Sequence, residues 1–509
     1  MDQSILLNKI ESRLYINGAF TPSSDGSTFE LNSPFSHKKI ADVSEATVVD
    51  TNRAVAAAVE AFPTWSKLDI ATRGTYLKKM AALIREADRE LAQLEALSMG
   101  RPVSTYFDGV RAAEYFEHYA EAAWEAKGET SLNSSGFVNI TLRQPYGPVA
   151  AIIPWNIPAA MWAAKIAPAV AAGCTIVLKS SEKAPLTVIS LCPLSSLIHI
   201  LTNFQSAKLA TLVHEAGFPP GVINVLSGHG TPAGSVLASH MDIRVINFTG
   251  STSTGRKIQA AAASSNLKKV ILELGGKSPT LIFDDAQIEK AADETARSML
   301  LNSGQICMAG SRVYVQESVA AKYISTFAKV FSTARKGDPL LFETQLGPQA
   351  DKIQFDRVKA YLAAAGSGDN GRLLTGGKAT QENGESGYFI EPTAYTDVPE
   401  DARTQREEIF GPFVNINTFK TEAEVLEKAN ATDYGLYASV YTRDLSRALR
   451  VSKALESGVV AVNCTSPTSP HDVPFGGYKL SGQGREGFGH SLFEYLEVKS
   501  VMMKIDEAD

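Results

Sequence analysis

Val245-Ile246-Asn247-Phe248-Thr249-Gly250-Ser251-Thr252-Ser253-Thr254-Gly255 decides the fold. A short, largely apolar run of strand length ends in a Gly/Ser/Thr turn and passes into a helical pattern, so it reads strand, turn, helix. Its small residues let a phosphate approach the backbone around Gly250 and Ser251, and the free amides of a helix starting there favour an anion. Working backward, residues 149–153, 175–178 and 222–226 are further apolar runs, each followed by turn residues and a helical pattern. Such a series specifies a parallel, doubly wound α/β sheet. Gly228-His229-Gly230 with Gly234 misses the G-x-G-x-x-G spacing of the usual dinucleotide fingerprint. Lys179-Ser180-Ser181-Glu182 leaves the 175–178 run, where a lysine and an acid can both hydrogen-bond ribose hydroxyls. The acid repels a 2′-phosphate, which favours NAD over NADP.

Forward of the opening stretch, residues 271–274 and 280–283 are expected to open a second α/β unit. Strands at 313–315, 414–419, 438–441 and 459–463 would continue it, and the break between units is expected near Leu272. Toward the N-terminus, 13–18 and 29–32 read as short strands and 48–62 and 71–97 as helices, the second stopped by Gly100 and Pro102. A third helical stretch, 108–127, carries Tyr115, Phe116, Tyr119 and Trp124, most of which are assigned to core packing. Residues 137–142 and 494–502 alternate, as strands of one small sheet would. Residues 188–205 stand apart, with no Lys, Arg, Asp or Glu and with Pro193 inside an apolar run. Without them, 183–187 run into 206–217 as one amphipathic helix with Gly217 as its C-cap. The segment reads as an insertion, and its 18 residues as a short intron retained in frame.

A chain of 509 residues exceeds what one core usually supports, so two large units are expected. With 44% hydrophobic and 20% charged residues it is neither disordered nor fibrous in composition. The net charge of -6, the pI near 5.9 and the lack of a basic cluster argue against nucleic acid or an anionic membrane as partner. Cys174, Cys192, Cys307 and Cys464 have no metal-ligand spacing and are too few to staple such a chain, so free thiols, no metal and a reducing compartment are expected. The first ten residues lack the basic and apolar regions of a signal peptide, which makes the cytosol the expected address. The uncharged run 144–164 holds Pro145, Pro148, Pro154 and Pro158 and reads as a buried strand and turn, not a membrane span.

Ser303-Gly304-Gln305-Ile306-Cys307-Met308-Ala309 presents a cysteine in a Gly-flanked turn after an alanine-rich helical run. A lone cysteine is usually a small buried hydrophobe. As a nucleophile it needs a lowered pKa or a base. Cys307 becomes the candidate nucleophile in the company of Pro154-Trp155-Asn156, Glu273-Leu274-Gly275-Gly276-Lys277 and Glu407-Glu408-Ile409-Phe410-Gly411-Pro412. With residues 179–182, 248–255 and Pro474-Phe475-Gly476-Gly477, in this order across nearly the whole chain, the set resembles the aldehyde dehydrogenase superfamily.

The resemblance implies an α/β fold with a Rossmann-type cofactor domain, a second α/β catalytic domain and a small β oligomerisation element. The expected division is 1–130 and 148–272 for the NAD-binding domain, 273–475 for the catalytic domain, and 131–147 with 490–503 for oligomerisation as a homodimer or homotetramer. It implies that Lys179 and Glu182 hold the adenosine ribose, Gly250 and Ser251 lie at the pyrophosphate, and Glu408 with Phe410 positions the nicotinamide ribose and ring, with Trp155 also at the cofactor. The chemistry it implies is NAD-dependent oxidation of an aldehyde to a carboxylic acid. Cys307 adds to the aldehyde, the Asn156 amide and the Cys307 N–H hold the oxyanion, hydride leaves, and Glu273 takes a proton from the water that cleaves the thioester. Lys165 is expected to support the Asn156 loop. Many members carry an aromatic directly after the motif asparagine and a tryptophan before the lysine, where this chain has Ile157 and Ala164. With Ile306, Met308, Trp162 and Phe475 as walls, the expected tunnel is wide and apolar, suited to a bulky or apolar aldehyde. The competing readings are a relative passing the thioester to coenzyme A, which would not need Glu273, and a pseudoenzyme disabled by 188–205.

Overall fold

The computed structural model describes residues 11–189, 209–367, 371–379 and 387–505. Pro148–Ile152, Thr175–Lys179, Ile223–Leu226, Val245–Thr249 and Lys269–Glu273 form parallel strands buried on both faces, so their sequences are continuous apolar runs and not alternating ones. The chain lays down Pro148–Ile152 in the middle, steps outward to Thr175–Lys179 and Ile223–Leu226, then crosses to Val245–Thr249 and Lys269–Glu273 on the other side. That reversal opens a crevice at the carboxyl ends of Pro148–Ile152 and Val245–Thr249, the place where open α/β sheets bind ligands. Among the described residues the sheet has eight strands, completed by Leu14–Ile16 with Ala19–Thr21 at one edge and Gly482–Gln483 at the other.

Here one expectation is corrected. The 271–274 run does not open the second unit, because Lys269–Glu273 pairs in parallel with Val245–Thr249 and closes the first sheet. The second sheet begins at Pro279–Ile282 and has, among the described residues, the order Arg372–Thr375, Thr393–Thr396, Phe413–Phe419, Arg312–Gln316, Pro279–Ile282, Tyr437–Tyr441, Val459–Val462. Its first two strands went unread because they are threonine-rich or exposed and lack an apolar run. A third sheet pairs Leu496–Lys504 antiparallel with Phe137–Pro145 and adds Thr130–Ser131.

The Ile70–Met99 helix starts where Asp69 accepts the Thr72 N–H at 2.7 Å and ends at Gly100, whose φ of 81° is the left-handed stop. It packs against Asp108–Ala122, which packs in turn against Pro158–Ala172. Tyr115, Phe116 and Tyr119 are buried, but Trp124 is 54% exposed in a short turn beyond the helix. Leu186–Ile189 and Leu209–Ala216 both lean on Ile70–Met99, and Gly217, at φ 83°, ends the second. The insertion read at 188–205, and the continuous helix across it, lie largely outside the described residues. Among the described residues no helix is long and apolar enough to cross a membrane.

Candidate active site

The Cys307 loop is built from unfavourable backbone held by many bonds. Asn302, Ser303 and Gly304 take φ of 47°, 54° and 72° in succession, and each non-glycine in that region costs about 1–3 kcal/mol. The compensation is local. Ser303 Oγ donates to the Gly347 carbonyl at 2.7 Å, and Gln349 Nε2 donates to the Ser303 carbonyl at 3.3 Å. Gln305 Nε2 donates to the Asn302 carbonyl at 3.0 Å while its Oε1 accepts the Ala350 N–H at 3.0 Å. Gly304 sits so close to the next loop that a Cβ would stand 2.2 Å from the Gly411 carbonyl oxygen. The loop therefore presents Cys307 in one orientation.

Asn156 joins it directly. Its Nδ2 donates to the Gln305 carbonyl at 2.9 Å, and Asn302 Nδ2 donates to the Asn156 carbonyl at 2.9 Å. The Asn156 amide carries a second N–H besides the one bonded to Gln305. From the other side the Gly275-Gly276 turn passes beneath Cys307, where a Cβ on Gly276 would lie 2.5 Å from the Cys307 carbonyl oxygen. The Gly276 N–H donates to Glu408 Oε1 at 3.0 Å, which brings that carboxylate to the same point.

The charges here oppose a standing thiolate. Burial, then the charges of Glu273 and Glu408, push the half-buried Cys307 thiol up to about 12, although the Met308 and Cys307 amides favour the anion. Glu273, at the carboxyl end of its strand, is pushed up to about 8 by burial and then by the neighbouring Glu486 carboxylate, with Lys165 and Arg485 opposing. Glu408 is raised by burial. Of the two ways to activate a cysteine, these surroundings do not supply the lowered pKa.

Lys165 does not support the Asn156 loop. Its ammonium is fully buried and bonds Glu486 Oε1, which also accepts Asn247 Nδ2 at 2.7 Å. Glu486 was not singled out in the sequence, and its one signal was position, inside the glycine-rich 482–489 stretch that returns to the Glu273 strand.

The other expected residues line the carboxyl edge of the first sheet. The Gly250 N–H donates to the Glu273 carbonyl at 3.0 Å, and Ser251 caps the Thr252–Ala263 helix by accepting the Thr254 N–H at 3.3 Å. Lys179 is buried, its pKa lowered by desolvation, 4.0 Å from Glu182. Trp155 and Phe410 meet edge to face at 5.4 Å. The hydroxyl of Thr249, at the crevice, is buried with no hydrogen-bond partner.

On its other side Cys307 opens into a cavity of about 310 Å³ whose walls include Ile157, Ile306, Met308 and Phe475, as expected. Trp162 and Ala164 are not walls. Trp162 is fully buried against Phe116 at 5.6 Å, and Ala164 faces the core. Tyr115 belongs to the core, as expected, and also lines the cavity, stacked on Phe488 at 4.4 Å, with Phe107 and Arg111 beside it.

A family model described as the aldehyde dehydrogenase family matches residues 20–501. Aldehyde dehydrogenase 1 of Tanacetum cinerariifolium is 43% identical over 97% of this chain and 95% of its own length. Retinal dehydrogenase 2 of Homo sapiens is 39% identical over 97% and 92%. The fold matches the crystal structure of a P. syringae indole-3-acetaldehyde dehydrogenase in complex with NAD+ and IAA, with a TM-score of 0.92, 37% identity and 99% of each chain covered.

Proposed function

The chain belongs to the aldehyde dehydrogenase family, and from that premise we propose that it oxidises an aldehyde to a carboxylic acid with NAD through a thioester on Cys307. The observation that carries the reading is the convergence of Cys307, Asn156 and Glu273 between an apolar cavity and the crevice of the first sheet.

The crevice suits a dinucleotide. It has an orphaned buried hydroxyl on Thr249, a capped helix start at Ser251, a buried lysine at 179 and the Trp155–Phe410 edge. Lys179 and Glu182 would hold the adenosine ribose, Gly250 and Ser251 the pyrophosphate, and Glu408 with Phe410 and Trp155 the nicotinamide end. When bound, NAD supplies the hydride acceptor that converts the tetrahedral adduct to a thioester. The acid at Glu182 and the NAD+ complex of the P. syringae relative support NAD over NADP.

The chain's own residues do the rest. As the Cys307 sulfur bonds the carbonyl carbon its proton passes to a base, and of the two carboxylates whose charges reach the thiol Glu273 acts more strongly than Glu408. The oxyanion accepts from the free Asn156 N–H and the Cys307 amide. Ionised again, Glu273 takes a proton from the water that cleaves the thioester, while Glu486, bound to Lys165 and Asn247, holds a charge near it. The aldehyde is bulky or extended, in line with the cavity and with the retinal and indole-3-acetaldehyde named for two relatives. The same proposal has a homodimer or homotetramer in the cytosol, joined through 131–147 and 490–503, where Val498, Met502 and Met503 are exposed. Its catalytic domain runs to 475, and its cofactor domain extends through Glu273.

The test follows NADH absorbance over a panel of aldehydes. Bulky aromatic or extended aldehydes should exceed acetaldehyde in kcat/KM, each methylene that fills the cavity giving about 1–3 kcal/mol. Cys307→Ser should lose the activity while NAD still binds. Retention of most of the rate would remove the nucleophile.

A further inference from the structure

The cavity beside Cys307 carries one charge. Among the described residues that line it, Arg111 is the sole charged side chain and none is acidic. Arg111 stands on the first turn of the Asp108–Ala122 helix, one turn before Tyr115, so the two face the cavity together. Its guanidinium lies over the Phe488 ring at 4.8 Å and the Tyr115 ring at 5.6 Å, and Nη2 donates to the Ser469 carbonyl at 3.0 Å. Glu114, which does not line the cavity, stands 3.6 Å from Nη1 and meets His471 at 3.2 Å. These contacts hold the guanidinium at the wall without enclosing it in a close ion pair.

A hydrocarbon filling the cavity as far as Arg111 would strip water from that cation and return nothing. A carboxylate would return charge-assisted hydrogen bonds, for which a guanidinium fork is the best protein partner. We propose that the preferred substrate is an aldehyde bearing a carboxylate at the end remote from its carbonyl, with Arg111 as the residue that selects it. This rests on the aldehyde reading above and narrows it to an apolar body with an anionic end.

The experiment compares pairs that differ in charge: 4-carboxybenzaldehyde with 4-formylbenzamide, and 6-oxohexanoate with hexanal. In the wild type, kcat/KM should favour the carboxylated member of at least one pair by roughly tenfold or more, mainly through KM. Rising salt should shrink that preference. Arg111→Gln should abolish the preference and Arg111→Lys restore part of it. Equal kcat/KM within both pairs overturns the proposal while leaving the aldehyde reading intact, as does a preference that survives in Arg111→Gln. Should that variant fail to fold, the salt series on the wild type decides, and a preference indifferent to salt overturns it. No NADH from any of the four compounds defeats the aldehyde reading and this one with it.

Discussion

Glu273 has to be ionised to take a proton, and burial with the Glu486 charge holds its carboxyl at about 8. Its folded pKa is raised, so its ionised fraction grows and thioester hydrolysis should speed up as pH rises through about 8. Glu273→Gln keeps size and loses the base. Because the thiol loses its base too, it should give a stoichiometric but slowed burst of NADH and then turn over about 10²- to 10⁴-fold more slowly, which stopped-flow absorbance would show. Unchanged steady turnover would take Glu273 out of the mechanism. Glu486→Gln removes the largest of the three neighbouring charge effects on Glu273, ahead of those of Lys165 and Arg485. The pKa of Glu273 should therefore fall, and the alkaline rise in the deacylation rate should move to lower pH. A rise that stays in place or moves upward would show that Glu486 does not set the base. None of this coupling was legible in the sequence, because Lys165 and Glu486 lie 321 residues apart and only the fold brings them together.

At the scale of elements, the Cys307 loop depends on three successive left-handed residues, and Gly304 is the one with no room for a side chain. Gly304→Ala would force a methyl toward the Gly411 carbonyl, and the conformational and packing penalties together should cost about 2–4 kcal/mol. Thermal unfolding should show the loss, with activity falling further than stability because the loop aims the nucleophile. A variant of wild-type stability and rate would mean that the loop tolerates other backbones. The strands that carry site residues at their carboxyl ends were readable, because burial on both faces writes them as unbroken apolar runs. Their partners were not. Lys269–Glu273 has the same kind of sequence whichever sheet receives it, and only pairing with Val245–Thr249 assigns it. The Asp108–Ala122 helix shows a second limit. Its aromatic spacing predicts a buried face, and Tyr115 is buried in the core, yet it also forms part of a cavity wall beside Phe488. Periodicity reports that a side chain leaves water and is silent on whether a protein core or a substrate receives it.

For the molecule as a whole, the open question is whether residues 188–205 belong to it. Leu186, Thr187 and Val188 on one side and Leu209 and Ala210 on the other are all buried, and the elements that carry them pack on the same Ile70–Met99 helix. The two described ends thus lie on one surface, as consecutive turns of a continuous helix would. Between those points stands a stretch without Lys, Arg, Asp or Glu, a composition that invites aggregation wherever it meets water. Its valine and glutamine ends are compatible with GT and CAG codon sequences, the boundary signals of an intron. The expected outcome is that transcripts and peptides of the native protein join Thr187 to Ser206, and that recombinant protein lacking 188–205 melts at an equal or higher Tm with NAD affinity preserved. The affinity is the sensitive readout, because the segment begins only six positions after Glu182. Abundant peptides from within 188–205 in active native enzyme, or loss of NAD binding on deletion, would make the segment part of the protein and leave the helix read across it wrong.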